Sequence, residues 1–221
     1  MKSLIMQSTR HFFAILFLLF CSTQAYATTV KVTGWSSYTS SSYTYTAGTF
    51  TETGDWAGMI NYTVDGYSTF GFCIDIPQTI GKKNYNNNEY QLVDLDKLTQ
   101  LDGKGVERNN LLNAAWLIDT FASSATSKQS KAALQLAIWE TVYADHFTLN
   151  SANSTVQEHL DAVNTAIPFT DTSFAANYRV LYSSTNQDQL IYYPVPEPST
   201  IVLLLSGLIG LLFIVRRRNK V

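Results

Sequence analysis

The chain has 221 residues, of which 46% are hydrophobic, 13% aromatic and only 14% charged. Such a composition excludes intrinsic disorder, and the length gives room for one ordinary domain. Formal net charge is −2, but residues 28–195 alone carry nine Lys and Arg against sixteen Asp and Glu, near −7, so the body lacks the clustered basic face that nucleic-acid binding needs.

Residues 1–27 read as a secretory signal helix. Lys2 and Arg10 form the basic start, Phe12 to Cys21 is an apolar run too short for a comfortable membrane span, and Ala25-Tyr26-Ala27 has the small-x-small cleavage pattern. Phe20 is too bulky for the position before a lipoprotein cysteine. Cleavage at Thr28 removes Cys21 and leaves Cys73 as the single cysteine of the mature chain.

From Thr28 to Phe70 the chain is rich in Thr, Ser, Tyr and Gly. The alternation in Thr39 to Thr46 predicts a strand, as does the period of two in Ser68, Phe70, Phe72, Ile74 and Ile76. Residues 81–105 are polar, with Asn84 to Glu89 expected as a loop. Asp94, Asp96 and Asp102 lack the spacing of a calcium loop and read as solvated loop acids; no metal or cofactor is expected. Two helices follow. Asn109-Asn110 is the candidate cap of the first, which carries Leu111, Ala114, Ala115, Ile118 and Phe121 on one face. Ser127 is the candidate cap of the second, over 128–143. Residues 145–193 return to loops and strands, with 179–182 and 189–193 as strand candidates. The expected fold is α+β: a β-sandwich or barrel-like domain over 28–193 with a two-helix insert.

The end of the chain is a separate unit, 194–221. Three prolines in Pro194-Val195-Pro196-Glu197-Pro198 impose an extended segment. An apolar stretch over 200–215 predicts a short transmembrane helix, and Arg216, Arg217, Arg218 and Lys220 form a basic cytoplasmic stop. Pro196-Glu197-Pro198, the apolar helix and the arginine cluster, in that order, resemble a PEP-CTERM sorting signal of Gram-negative bacteria. The resemblance implies export, transient inner-membrane anchoring, and processing by an exosortase-type enzyme toward the cell surface or biofilm matrix.

One residue is out of pattern. Gln135 shares the apolar stripe of the second helix with Ala132, Ile138, Trp139 and Val142. An unpaired amide there would cost a few kcal/mol, so it requires a partner, and a buried glutamine with a purely structural hydrogen bond satisfies that demand. Cys73 sits in a strand-like run and reads equally as a small core residue. Together, however, Phe72-Cys73-Ile74 and Leu134-Gln135-Leu136-Ala137-Ile138-Trp139 resemble the two motifs of the thioester domains of bacterial surface adhesins, with Leu134 where many members carry Thr. The resemblance implies a Cys73–Gln135 thioester joining a β-rich part to a helical part, shielded by Phe72 and Trp139. Its partner is a surface or matrix nucleophile, an amine or a hydroxyl, bound once for adhesion rather than turned over as by an enzyme.

Two other readings remain. Cys73, His146 and Asp161 occur in the order of Cys–His enzymes. A Tyr/Thr/Ser-rich sheet also suits a non-covalent matrix or carbohydrate-binding module.

Overall fold

A computed structural model describes residues 28–38, 42–47, 50–54, 56–80, 84–85, 89–95, 100–101, 106–150, 154–194 and 207. The signal segment, the apolar stretch at 200–215 apart from Gly207, and Asp96 and Asp102 lie outside the described residues. Among the described residues no helix is long and apolar enough to cross a membrane.

Among the described residues, twelve strands and three α-helices form an α+β fold. The strands are β1 (Val30–Tyr38), β2 (Tyr43–Ala47), β3 (Phe50–Gly54), β4 (Ala57–Val64), β5 (Tyr67–Cys73), β6 (Asn84–Tyr85), β7 (Gln91–Asp94), β8 (Gln100–Leu101), β9 (Val106–Glu107), β10 (Phe147–Leu149), β11 (Tyr178–Tyr182) and β12 (Gln189–Tyr192). The helices are α1 (Arg108–Phe121), α2 (Lys128–Tyr143) and α3 (Ser154–Ala166). The main sheet is antiparallel in the order β6-β1-β4-β5-β12-β11-β7; β10-β2-β3 form a smaller sheet and β8-β9 a ribbon.

Chain connectivity forces the main sheet to curl. β6 and β7 are its two edges, yet only residues 86–90 separate them. Flat, the seven strands would hold those edges about 29 Å apart, at roughly 4.8 Å per step. The six residue steps from Tyr85 to Gln91 reach about 22 Å at most. The curl is barrel-like. It encloses a core of Val30, Val32, Ile60, Tyr62, Val64, Tyr90, Leu181 and Ile191, to which no helix contributes among the described residues. Gly71 belongs to this packing: a Cβ there would lie 2.7 Å from Ile191 Cγ2 and 2.8 Å from the Leu190 carbonyl.

The layer facing the main sheet is helical, not the second stacked sheet of a sandwich. Its core joins Phe72, Ile74, Val180 and Leu190 of the sheet side to Leu111, Leu117 and Ile118 of α1 and to Leu134, Ile138 and Val142 of α2. Among the described residues the helical part has three helices rather than two. The third, α3, falls where the sequence predicts loops and strands: its polar residues obscure the stripe of Val156, Leu160 and Val163, which is buried. Burying that stripe against the other helices stabilises a segment whose polar character alone does not call for a helix.

Local signals set α2 closely. Ser127 caps it, with the Ser127 and Ser130 side chains each bonded to the other's backbone N–H, and the helix begins at Lys128 as predicted. Asn110 does not cap α1. It lies inside that helix and donates 3.1 Å to the Val142 carbonyl at the end of α2, because α1 packs against α2 there. Asp94 is not a solvated loop acid: it stands on β7, 2.6 Å from Arg179 on the neighbouring β11.

Candidate functional site

Cys73 is the last residue of β5, and Gln135 lies in the middle of α2. The fold brings them together with the amide of Gln135 laid across the Cys73 backbone. Cys73 N–H donates to Gln135 Oε1 at 2.8 Å, and Gln135 Nε2 donates to the Cys73 carbonyl at 2.8 Å. Both residues are buried, Gln135 at 1% and Cys73 at 4% exposure. The misplaced glutamine therefore has its partners, and they belong to the other motif. The thiol is free.

Tyr143, the last residue of α2, fixes the chain just beyond Cys73. Its hydroxyl donates to the Ile74 carbonyl at 2.9 Å and accepts from Ile76 N–H at 3.0 Å. It thereby replaces a strand neighbour where β5 has ended. Nothing in the sequence marks this role; it depends on a contact between residues more than sixty positions apart.

The Cys73 thiol is held neutral. Burial pushes it well above the usual thiol range, and the nearby Asp75 and Asp188 carboxylates add to the rise. The Asp75 N–H, 3.3 Å from the sulfur, pulls the other way. So does the indole of Trp139, whose N–H makes no hydrogen bond of standard geometry but lies near enough to favour the thiolate. Asp75 and Asp188 are both fully buried, and Asp188 N–H donates to Asp75 Oδ2 at 3.3 Å.

Phe72 and Trp139 are buried beside the pair, at 0% and 3% exposure. Trp139 stands one turn beyond Gln135 and packs on Tyr43 of β2 and Phe147 of β10, at 4.9 and 6.1 Å between ring centroids. The small sheet thus closes over this end of α2.

The other sequence candidates fall elsewhere. His146 is exposed, in a short 3-10 turn after α2. Asp161 lies on an exposed position of α3 and accepts from Gln157 at 2.9 Å. Neither makes a hydrogen bond to Cys73. Among the described residues no cluster of His, Cys, Asp and Glu has the form of a metal site. Pro196, Glu197, Pro198, Arg216, Arg217 and Arg218 lie outside the described residues.

Comparison with known proteins gives two findings. Residues 194–219 match the family model of the PEP-CTERM protein-sorting motif. Such a motif implies export, membrane anchoring before cleavage, and processing by an exosortase. Among solved structures, the chain is similar to the N-terminal thioester domain of a surface protein from Clostridium perfringens. The identity is 16% and the TM-score 0.33, over 59% of this chain and 86% of that one. No curated protein matches.

Proposed function

We propose that this exported surface protein forms an internal thioester between Cys73 and Gln135 and uses it to bond covalently to an amine or hydroxyl on a surface or matrix target. The observation that carries this reading is the pair of 2.8 Å hydrogen bonds between the Gln135 amide and the Cys73 backbone. They hold the electrophile against the residue that bears the nucleophile, in the manner of a preorganised reaction.

The same two bonds suit the chemistry. Sulfur attacks the Gln135 side-chain carbonyl carbon, and the charge that develops on Oε1 falls on the oxygen already held by Cys73 N–H. Nε2 takes up the thiol proton and departs as ammonia, leaving a Cys–Gln thioester. A target amine then attacks the acyl carbon, forms an amide with it and releases the Cys73 thiol. Raising the thiol by burial disfavours a standing thiolate, so the proton has to move as sulfur attacks. The same burial among Phe72 and Trp139 keeps water from the product.

The two borders of the folded body lie together. Thr29 and Asp65 exchange bonds through Thr29 N–H to Asp65 Oδ1 (2.7 Å) and Asp65 N–H to the Thr29 carbonyl (3.0 Å). Tyr193, just before the sorting motif, packs edge-on against Tyr67 at 6.1 Å. Thr29 and Tyr193, at the two borders of the folded body, therefore both lie beside the β4–β5 turn. Cys73 is six residues further along β5, about 20 Å away at the usual strand rise.

Intact-mass measurement of the exported protein tests the reading. A thioester lowers the mass by one ammonia, methylamine adds its own mass, and Cys73→Ala abolishes both changes. A full-mass chain with a titratable thiol would falsify it.

A further inference from the structure

We propose that a cavity between the helices and the main sheet, separate from the Cys73–Gln135 pair, is a binding site for a neutral saccharide. It has a volume of about 610 Å³, in the range of small-molecule sites. Its floor is an aromatic row across three adjacent strands: Tyr178 on β11, Tyr192 on β12 and Phe70 on β5. Tyr192 and Phe70 stack at 5.7 Å, and Tyr178 meets Tyr192 edge-on at 5.6 Å. Asp119 of α1 and Lys131 of α2 supply the charges of the wall.

Those two charges count against a ligand that carries only one sign of charge. Asp119 accepts one hydrogen bond, from the Tyr178 hydroxyl at 3.2 Å. Lys131 forms no ion pair among the described residues, with Asp119 or any other acid. A carboxylate and an ammonium thus line one cavity without neutralising each other. An anionic ligand would meet Asp119, and a cationic one Lys131, as a like charge. Hydroxyl groups satisfy both, donating to the carboxylate and accepting from the ammonium. The C–H surface of a sugar ring suits the partly exposed faces of Phe70, Tyr192 and Met59, and the exposed hydroxyls of Ser123 and Thr126 at the rim suit a chain continuing outward.

The proposal does not depend on the thioester, since neither Cys73 nor Gln135 lines the cavity. Lys131 is nonetheless one helical turn before Gln135, about 6 Å along the axis.

The test uses the full chain carrying Cys73→Ala, which removes covalent capture, in an amine-oxide detergent free of sugar headgroups. Trisaccharides of glucose, galactose and N-acetylglucosamine are titrated by calorimetry, with glucuronate and putrescine as charged controls. At least one trisaccharide is expected to bind with millimolar or tighter affinity. Asp119→Asn and Lys131→Met, both at solvent-accessible positions, should each weaken it about tenfold, the loss of one charged hydrogen bond. Ala122→Trp, which fills the cavity, should abolish it. The proposal is overturned if no trisaccharide binds, if a charged control binds more tightly, or if Asp119→Asn and Lys131→Met leave the affinity unchanged.

Discussion

The side-chain amide of Gln135 pairs with Cys73 as a neighbouring strand would, accepting one hydrogen bond from the backbone N–H and donating one to the carbonyl, each 2.8 Å long. A helix side chain therefore completes the end of β5. This contact is one of those that join the helical layer to the sheet, and it has separate measurable consequences for the structure and for the proposed chemistry.

Replacing Gln135 with Leu leaves two buried backbone groups of Cys73 without partners. The expected loss of stability is about 2–4 kcal/mol, from one to three for each unsatisfied group with some relaxation. Cys73→Ser keeps both hydrogen bonds and should cost less. Denaturant unfolding of both variants, compared with the wild-type chain after ammonia has opened any thioester and restored the Gln135 amide, measures this. Equal losses would mean that the backbone pairing contributes little.

Tyr143→Phe removes the hydroxyl bound to Ile74 and Ile76. About 1–3 kcal/mol should be lost. The appearance of the ammonia-deficient mass after refolding should also slow, because the segment following Cys73 is no longer pinned. A variant that is destabilised but forms the bond at the wild-type rate would limit Tyr143 to a structural role.

Alkaline pH should separate the open and closed forms. The Cys73 thiol is raised in the folded chain from a reference near 9.0, chiefly by burial. Its contribution is complete below that reference value. As pH rises through it, the unfolded chain releases the proton first and stability falls. A chain with a free thiol should thus lose stability above about pH 9, more steeply than Cys73→Ala. Buried Tyr143 and Tyr178, also raised mainly by burial, add a loss common to both, starting above the tyrosine reference of 10.0. In the thioester form no thiol is present and the cysteine component disappears. Urea midpoints between pH 8 and 10.5, on the order of one unit either side of the thiol reference, give the comparison.

Gly71→Ala places a methyl group against the Leu190 carbonyl and Ile191. Strain of about 1–3 kcal/mol is expected, as for overpacked cores, and it acts on the strand pair that positions Cys73. Thermal unfolding should show the cost. A neutral substitution would mean that β5 and β12 separate more easily than their packing implies.

Replacing Pro196, Glu197 and Pro198 with alanines should leave the body folded but keep the protein in the membrane fraction with its C-terminal segment intact. Fractionation and mass measurement of the C-terminal peptide read this directly. Release at the wild-type rate would place recognition elsewhere in 194–219.

Much of this architecture was legible because its signals are local. The capping serine at 127 sits next to the helix it starts, and the strand alternation through Phe70, Phe72 and Ile74 is carried by adjacent residues. The strands containing Arg179 and Leu190 are likewise continuous runs. Where meaning depended on distant partners, the reading failed. Asn110 resembled a cap and instead bonds to the end of another helix. Asp94 resembled a loop acid until β11 brought Arg179 beside it. The polar sequence of α3 concealed a stripe that becomes helical only with a core to bury it.

By itself, the sequence determined the sorting motif, the position of α2 and the presence of an amide on its apolar face, since each is encoded in contiguous residues. Only the tertiary structure decided what that amide meets. The curled sheet ends β5 under the middle of α2, and burying two backbone groups there demanded a hydrogen-bonding partner, which Gln135 provides.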